Sequence, residues 1–176
     1  IVFLPRGVRD RQKCEKILIH VITAEKLEII NFHDVQVDNS VLGEISGNTE
    51  PFIRQIYITG KYEQEELERK LYLARKQAEK KIRDSDIKSR HSFHIPSLST
   101  KVLVYKGMFT PQQISEYYID LQNEKLTSAI ALVHSRFSTN TFPTWDLAQP
   151  FRFLAHNGEI NTIKGNRMWI SAREPL

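Results

Sequence analysis

The chain has 176 residues, 40% of them hydrophobic and 26% charged, with a formal net charge of +4 and a single cysteine. This length suits one domain or one large piece of a bigger one, and this composition builds a core, which excludes a disordered chain. One cysteine excludes an internal disulfide and fits a reducing compartment. No apolar run reaches the roughly 20 residues that span a bilayer, so no membrane role is expected. No signal peptide is visible in this sequence. The chain opens on Ile1 and closes on "SAREPL", which reads as a piece of a longer polypeptide.

In chain order, "IVFL" (1–4) reads as a short buried strand stopped by Pro5. From about Val8 to Glu25, Cys14, Ile17, Leu18, Val21 and Ile22 recur at helical spacing, so Cys14 falls on an apolar helix face. "KLEIINFHDVQV" (26–37) and "PFIRQIYITG" (51–60) read as strands, the second bounded by Pro and Gly. In "EQEELERKLYLARKQAEKKIRDSD", Leu67, Leu71, Ala74 and Ala78 line one helix face. Glu65–Arg69, Glu66–Lys70 and Glu79–Arg83 are favourable i,i+4 pairs on the others. Residues 61–90 hold ten Lys/Arg and seven Asp/Glu, so most of the basic excess sits here. The signs are mixed on that surface, which describes a solvated helix; a nucleic-acid site wants a single-sign stripe with interleaved aromatics.

Beyond it, "HSFHIPSLS" (91–99) and "KVLVYKG" (101–107) are expected to pair as a tight hairpin. "TPQQISEYYIDL" (110–121) has Thr110 at an N-cap and Pro111 at the first helical position. "SAIALVHSRF" (128–137) and "FRFLAH" (151–156) read as strands, and "INTIKGNRMWISAR" (160–173) as a helix weakened by Gly165. The expected class is α+β, antiparallel sheet covered by helices. Neither GxGxxG nor GxxxxGK[ST] occurs.

Two apolar runs end in polar clusters, "HSRFSTNTFPTW" and "HNGEIN". Arg136 offers a planar fork for a carboxylate, or is a structural ion pair or a surface arginine. Asn157-Gly158 is an ordinary turn, or an oxyanion hole built from an amide side chain and a backbone N–H. His134 and His156 lack HxH or HExxH spacing and a cysteine partner, so partly buried, satisfied histidines are expected. Phe142, Pro143 and Trp145 suit a packed loop. Cys14, mid-helix, suits an inert thiol.

Residues 131–174, "ALVHSRFSTNTFPTWDLAQPFRFLAHNGEINTIKGNRMWISARE", strongly resemble the class II glutamine amidotransferase domain of the glutamate synthase large subunit. "ERKLYLARK", "IPSLST", "VYKGMFTPQQ" and "YYIDL" extend the likeness, in order, from about residue 50 to the end. "FLP" adds to it more thinly. The resemblance implies an N-terminal nucleophile hydrolase fold, a four-layer αββα sandwich with antiparallel sheets, here lacking the strand that carries the nucleophile. Residues 1–176 would be part of one such domain, with its N-terminal and C-terminal parts missing.

The implied reaction is hydrolysis of glutamine to glutamate and ammonia, the ammonia passing to a distant site where 2-oxoglutarate becomes glutamate. Arg136 would bind the glutamine α-carboxylate, Asn157 and Gly158 would form the oxyanion hole, and Thr139 would shape the pocket. The family's nucleophile is an N-terminal cysteine, absent here, so the isolated chain is expected to be inactive. No metal or cofactor site is expected in this segment; FMN and an iron–sulfur cluster belong to later regions of the family. The implied partners are glutamine, the remaining synthase domains, and an electron-donor subunit or ferredoxin, in the cytoplasm or a plastid. The alternatives are a non-catalytic regulatory or scaffold domain of the same fold, a nucleic-acid-binding module, or another class II amidotransferase.

Overall fold

The computed structural model describes residues 1–138, 141–156 and 162–174. Its centre is a three-stranded antiparallel sheet in the order β1 (Val2–Leu4), β3 (Phe52–Thr59), β2 (Glu28–Asp34). Alternation along the strands gives it two faces. Val2 and Leu4 point into one apolar cluster, while Phe3 and Ile53 point into another.

The first face is covered by helices α1 (Val8–Ala24) and α3 (Gln64–Arg83), the two helices expected from the apolar spacing. They bury Cys14, Leu18, Val21 and Ile22 against Leu71, Ala74, Ala78 and Ile82. Cys14, Ala74 and Ala78 are small, which suits close helix packing. Helix α1 stops at a left-handed residue, Lys26 (φ 60°), with Leu27 N–H donating to Ile22 C=O at 3.2 Å. That six-to-one bond is the Schellman pattern, and buried Leu27 supplies its apolar contact. Arg54, near the start of the central strand β3, donates to Glu15 of α1 (2.5 Å) and to Asp34 of β2 (2.6 Å). It ties helix, central strand and edge strand at one point. The three i,i+4 pairs expected on α3 do not close to 4.0 Å; the ion pairs among the described residues lie elsewhere.

The second face carries aromatic rings and irregular chain. The 91–107 segment is not a hairpin. Residues 90–92 form a 3-10 turn, and His94 bridges to Phe3 through paired backbone bonds of 2.7 and 3.1 Å. The chain reverses here by other means: Ser97 Oγ accepts from Val104 N–H, and Ser99 Oγ from Lys101 and Val102. Serine hydroxyls have taken the N–H groups that a ladder would use. The helix expected over 110–121 shrinks to α4 (Gln113–Tyr117) and a 3-10 turn at Ile119–Gln122. Thr110 does not cap it, because its N–H and Oγ both donate to Gln113 Oε1. Two short elements were not expected, a 3-10 turn (Asn39–Val41) and α2 (Glu44–Asn48).

Residues 128–137 are not a strand. They have no regular structure, and Ile130 and Val133 are 84% and 80% exposed. β-propensity describes fit to a pleated, half-buried surface, and no ladder partner for this run exists among the described residues. Residues 151–156 are not a strand either. Phe151 and Leu154 exchange backbone bonds of 2.8 and 3.0 Å and close a turn, with Arg152 left-handed at φ 53°. Helix α5 (Ile163–Arg173) has no buried residue; the expected start at 160–161 lies outside the described residues. The accessible surface, 12020 Å², exceeds the roughly 8,900 Å² of a compact monomer of this mass. Exposed apolar residues such as Phe142, Phe153, Met168 and Trp169 contribute to the excess.

His94 gives the fold a pH dependence. Burial, with the Lys106 charge adding, pushes its imidazole from 6.5 down to about 3. On acidification the unfolded chain gains this proton near 6.5 and the folded chain only near 3. The contribution is complete above 6.5 and lost between those values. Urea unfolding should therefore show a drop of at most about 4 kcal/mol from this group between pH 7 and pH 3. The His94→Phe variant should show a smaller drop than the parent; equal drops would contradict this.

Candidate functional site

The polar clusters lie along a chain that is anchored to the second face of the sheet. Trp145 is the anchor. It is 5% exposed, its ring meets Phe3 and Phe109 edge-on, and its Nε1–H donates to Ser46 C=O at 3.1 Å. Burying indole area while satisfying the N–H is what makes such a ring a good anchor. Gly107 sits beneath it. A methyl there would lie 2.5 Å from Trp145 Cζ3 and 2.5 Å from Phe109 Cε1, so the close approach of the rings requires glycine. Phe142 and Pro143, expected in the packed loop, are instead exposed. They line an open apolar groove of about 780 Å³ with Phe137, Ile45 and Met108. The packed-loop expectation holds for Trp145 alone.

After Trp145 the chain is held by three side chains. Lys106, 2% exposed, donates from Nζ to Asp146 C=O at 2.6 Å and lies 4.8 Å from the Phe151 ring centroid. Burial lowers its ammonium to about 8, against the opposing pull of Asp146 and Glu79. Gln149 accepts from His156 N–H at 2.7 Å and donates back to His156 C=O. Glu68 of α3 accepts from Ser99 and Thr100 and pairs with Arg152 at 3.9 Å. Its burial favours the neutral acid, but the bonds from Thr100 and Ser99 and the Arg152 charge outweigh it, so its carboxyl lies below the usual range.

Arg136 is exposed, and its own N–H donates to His134 Nδ1 at 3.0 Å. It takes part in none of the ion pairs among the described residues. His134 is partly buried and accepts a bond, as expected. His156 is exposed, contrary to expectation, with its backbone held by Gln149. Thr139, Asn157 and Gly158 lie outside the described residues. Cys14 is fully buried, and burial, with the nearby Asp10 and Glu15 charges, pushes its thiol up to about 11. It is not a nucleophile at neutral pH. The sequence reading missed Lys106, Gln149 and Glu68. A lysine inside the apolar run "VLVYKGM" was the one signal present.

The ring contact makes a mutational prediction. Gly107→Ala should destabilise the fold by about 1–3 kcal/mol, since neither ring can retreat freely. In a Trp169→Phe background, Trp145 fluorescence should also shift. An unchanged melting temperature with unchanged emission would contradict the packing described.

Comparison with known proteins places this anchored chain. It is 43% identical over 177 residues to the glutamate synthase (NADPH) large chain of Bacillus subtilis, covering 99% of this chain and 11% of that protein. It is 43% identical over 184 residues to the glutamate synthase (NADH) of Saccharomyces cerevisiae, covering 98% and 8%. It is 42% identical over 172 residues to the ferredoxin-dependent glutamate synthase of Antithamnion sp., covering 97% and 11%. The chain spans about a tenth of the length of these relatives. The family described as "Glutamine amidotransferases class-II" matches residues 1–176, and the chain belongs to that family, alongside the glutamate synthases.

Proposed function

We propose that this chain is part of the glutaminase domain that supplies ammonia within a glutamate synthase. Glutamine and water give glutamate and ammonia, and the ammonia serves reductive transfer to 2-oxoglutarate in another domain. The observation that carries the reading is the family match along the whole chain. The geometry adds an exposed arginine outside every ion pair among the described residues, on a segment that leads into an anchored loop.

In this reading the Arg136 guanidinium takes the glutamine α-carboxylate through its paired donors. The Asn157 side-chain amide and the Gly158 N–H stabilise the oxygen that becomes negative when the amide carbon is attacked. Thr139 shapes the pocket between them. The nucleophile comes from outside these residues, as a cysteine whose own α-amine is the base, since buried Cys14 is unfit. The three-stranded sheet with α1 and α3 would form part of an αββα sandwich, residues 1–176 being one part of that domain.

The remaining synthase domains are the implied partners. FMN and an iron–sulfur cluster belong to them, because cluster ligation needs several cysteines and this chain has one. Relatives named for NADPH, NADH and ferredoxin match almost equally well, so the electron donor is selected elsewhere. No helix among the described residues is long and apolar enough to cross a membrane. The cytoplasm, or a plastid in a plant or alga, is the proposed compartment.

Two measurements test this. In the full-length enzyme, Asn157→Ala should lower glutaminase kcat by roughly 10²–10³-fold, and Arg136→Ala should chiefly raise KM for glutamine. Wild-type constants in both variants would favour the scaffold alternative. The 176-residue chain alone should show no glutaminase turnover, and turnover that survives Cys14→Ala would contradict the assignment of the nucleophile to another segment.

A further inference from the structure

Charge is segregated in this molecule. Residues 27–53 hold five Asp/Glu and no Lys/Arg, and residues 107–124 hold three and none, although the whole chain carries +4. The fold brings these two stretches together. Gln113 of α4 donates to Val41 C=O, and Val37 forms a backbone bridge with Tyr118. The basic helix α3 covers the other face of the sheet.

The open apolar groove lies in this acidic region. Ile45, Met108, Phe137, Phe142 and Pro143 line it, with Glu44 in its wall. Phe109, also in the lining, packs edge-on against Trp145 and Tyr118, which makes that side rigid. Ile45 and Phe142 are 71% and 81% exposed. Asp38, which caps the 39–41 turn, and Glu116 of α4 are exposed on the flanking elements. Two arginines adjoin these elements. Arg6 is spent on Gly47 C=O and Glu50, and Arg136, next to Phe137, is the group assigned above to glutamine.

Exposed apolar side chains beside carboxylates select a complementary occupant: large apolar side chains for the floor, and Lys or Arg for the rim. The size of the site indicates how that occupant is held. Eleven described residues line it, against the roughly 20–30 that each side of a free-standing interface contributes. A site this small retains a partner that is already tethered, because linkage raises the local concentration to the order of mM. The chain spans about a tenth of the length of its relatives, so tethered polypeptide is abundant in proteins of that kind.

We propose that this groove is the docking site for a segment of the synthase polypeptide outside residues 1–176, one that lays large apolar side chains against Ile45 and Phe142 and sets Lys or Arg against Glu44, Asp38 and Glu116. This rests on the reading of the chain as one part of a glutamate synthase.

The test is photo-crosslinking in the full-length enzyme, with Ile45 replaced by p-benzoylphenylalanine, which reacts with whatever C–H group lies against it. Mass spectrometry of the digest should place the adduct on a peptide outside residues 1–176, with Lys or Arg beside the attached residue. On a denaturing gel the adduct should keep the mass of a single polypeptide. Adding Glu44→Lys and Glu116→Lys should lower its yield roughly 3–10-fold, the scale of two exposed ion pairs lost. The same probe at Phe142 carries the test if the Ile45 variant does not fold.

Adducts confined to residues 1–176, adducts to a second copy, or none at either position would overturn the proposal. So would a yield indifferent to the two charge reversals. Glutamine hydrolysis by Asn157→Ala and Arg136→Ala reads the glutaminase assignment separately, so either can fail while the other stands. A natural polypeptide without synthase domains, evident from its mass, would remove the synthase reading and the docking together.

Discussion

The contact between Trp145 and the second face of the sheet is the constraint on which the polar region depends. The indole ring is inserted among Phe3 of the edge strand, Phe109 and Tyr117, and its N–H is satisfied by the Ser46 carbonyl. Gly107 gives the space and Lys106, its neighbour, gives the next tether. One turn of chain around that ring thus couples the sheet, helix α2 and the chain leading to Asn157.

The two faces of the sheet divide the work. The helical face is a conventional apolar interface, locked at one point by Arg54 bridging α1 and β2. The other face holds three tyrosines whose hydroxyls all donate: Tyr117 to Glu50, Tyr118 to the Lys106 carbonyl, Tyr105 to Asp120. Burial raises all three phenols, with the Glu50 and Asp120 carboxylates adding at Tyr117 and Tyr105, so they act as fixed donors. Networks of this kind specify one arrangement, because a half-satisfied alternative is costly.

Legibility in the sequence followed the range of the forces involved. Helices α1 and α3 and strands β2 and β3 were legible because an apolar period and local breakers define them. The 128–137 run was misread because its apolar composition fits a strand whose ladder partner is not among the described residues. The 91–107 pair was misread because Ser97 and Ser99 capture backbone N–H groups that composition alone assigns to a ladder. Arg136 and Asn157-Gly158 stood out in polar clusters with a binding role as one alternative among others, and only the family resemblance favours that alternative and adds Thr139. Gln149 and Glu68 stayed invisible because Gln149 pairs with the backbone of His156, which carries no side-chain signal, and Glu68 pairs with Ser99 and Thr100 far along the chain.

The proposed function assigns Arg136, Asn157 and Gly158 to one glutamine site. The most direct check is a crystal structure of the full-length enzyme with glutamate, the product, bound. The account predicts the α-carboxylate within hydrogen-bond distance of both terminal nitrogens of Arg136, and the side-chain carboxyl group against Asn157 and Gly158. Glutamate bound elsewhere in the domain, with Arg136 facing solvent, would contradict it.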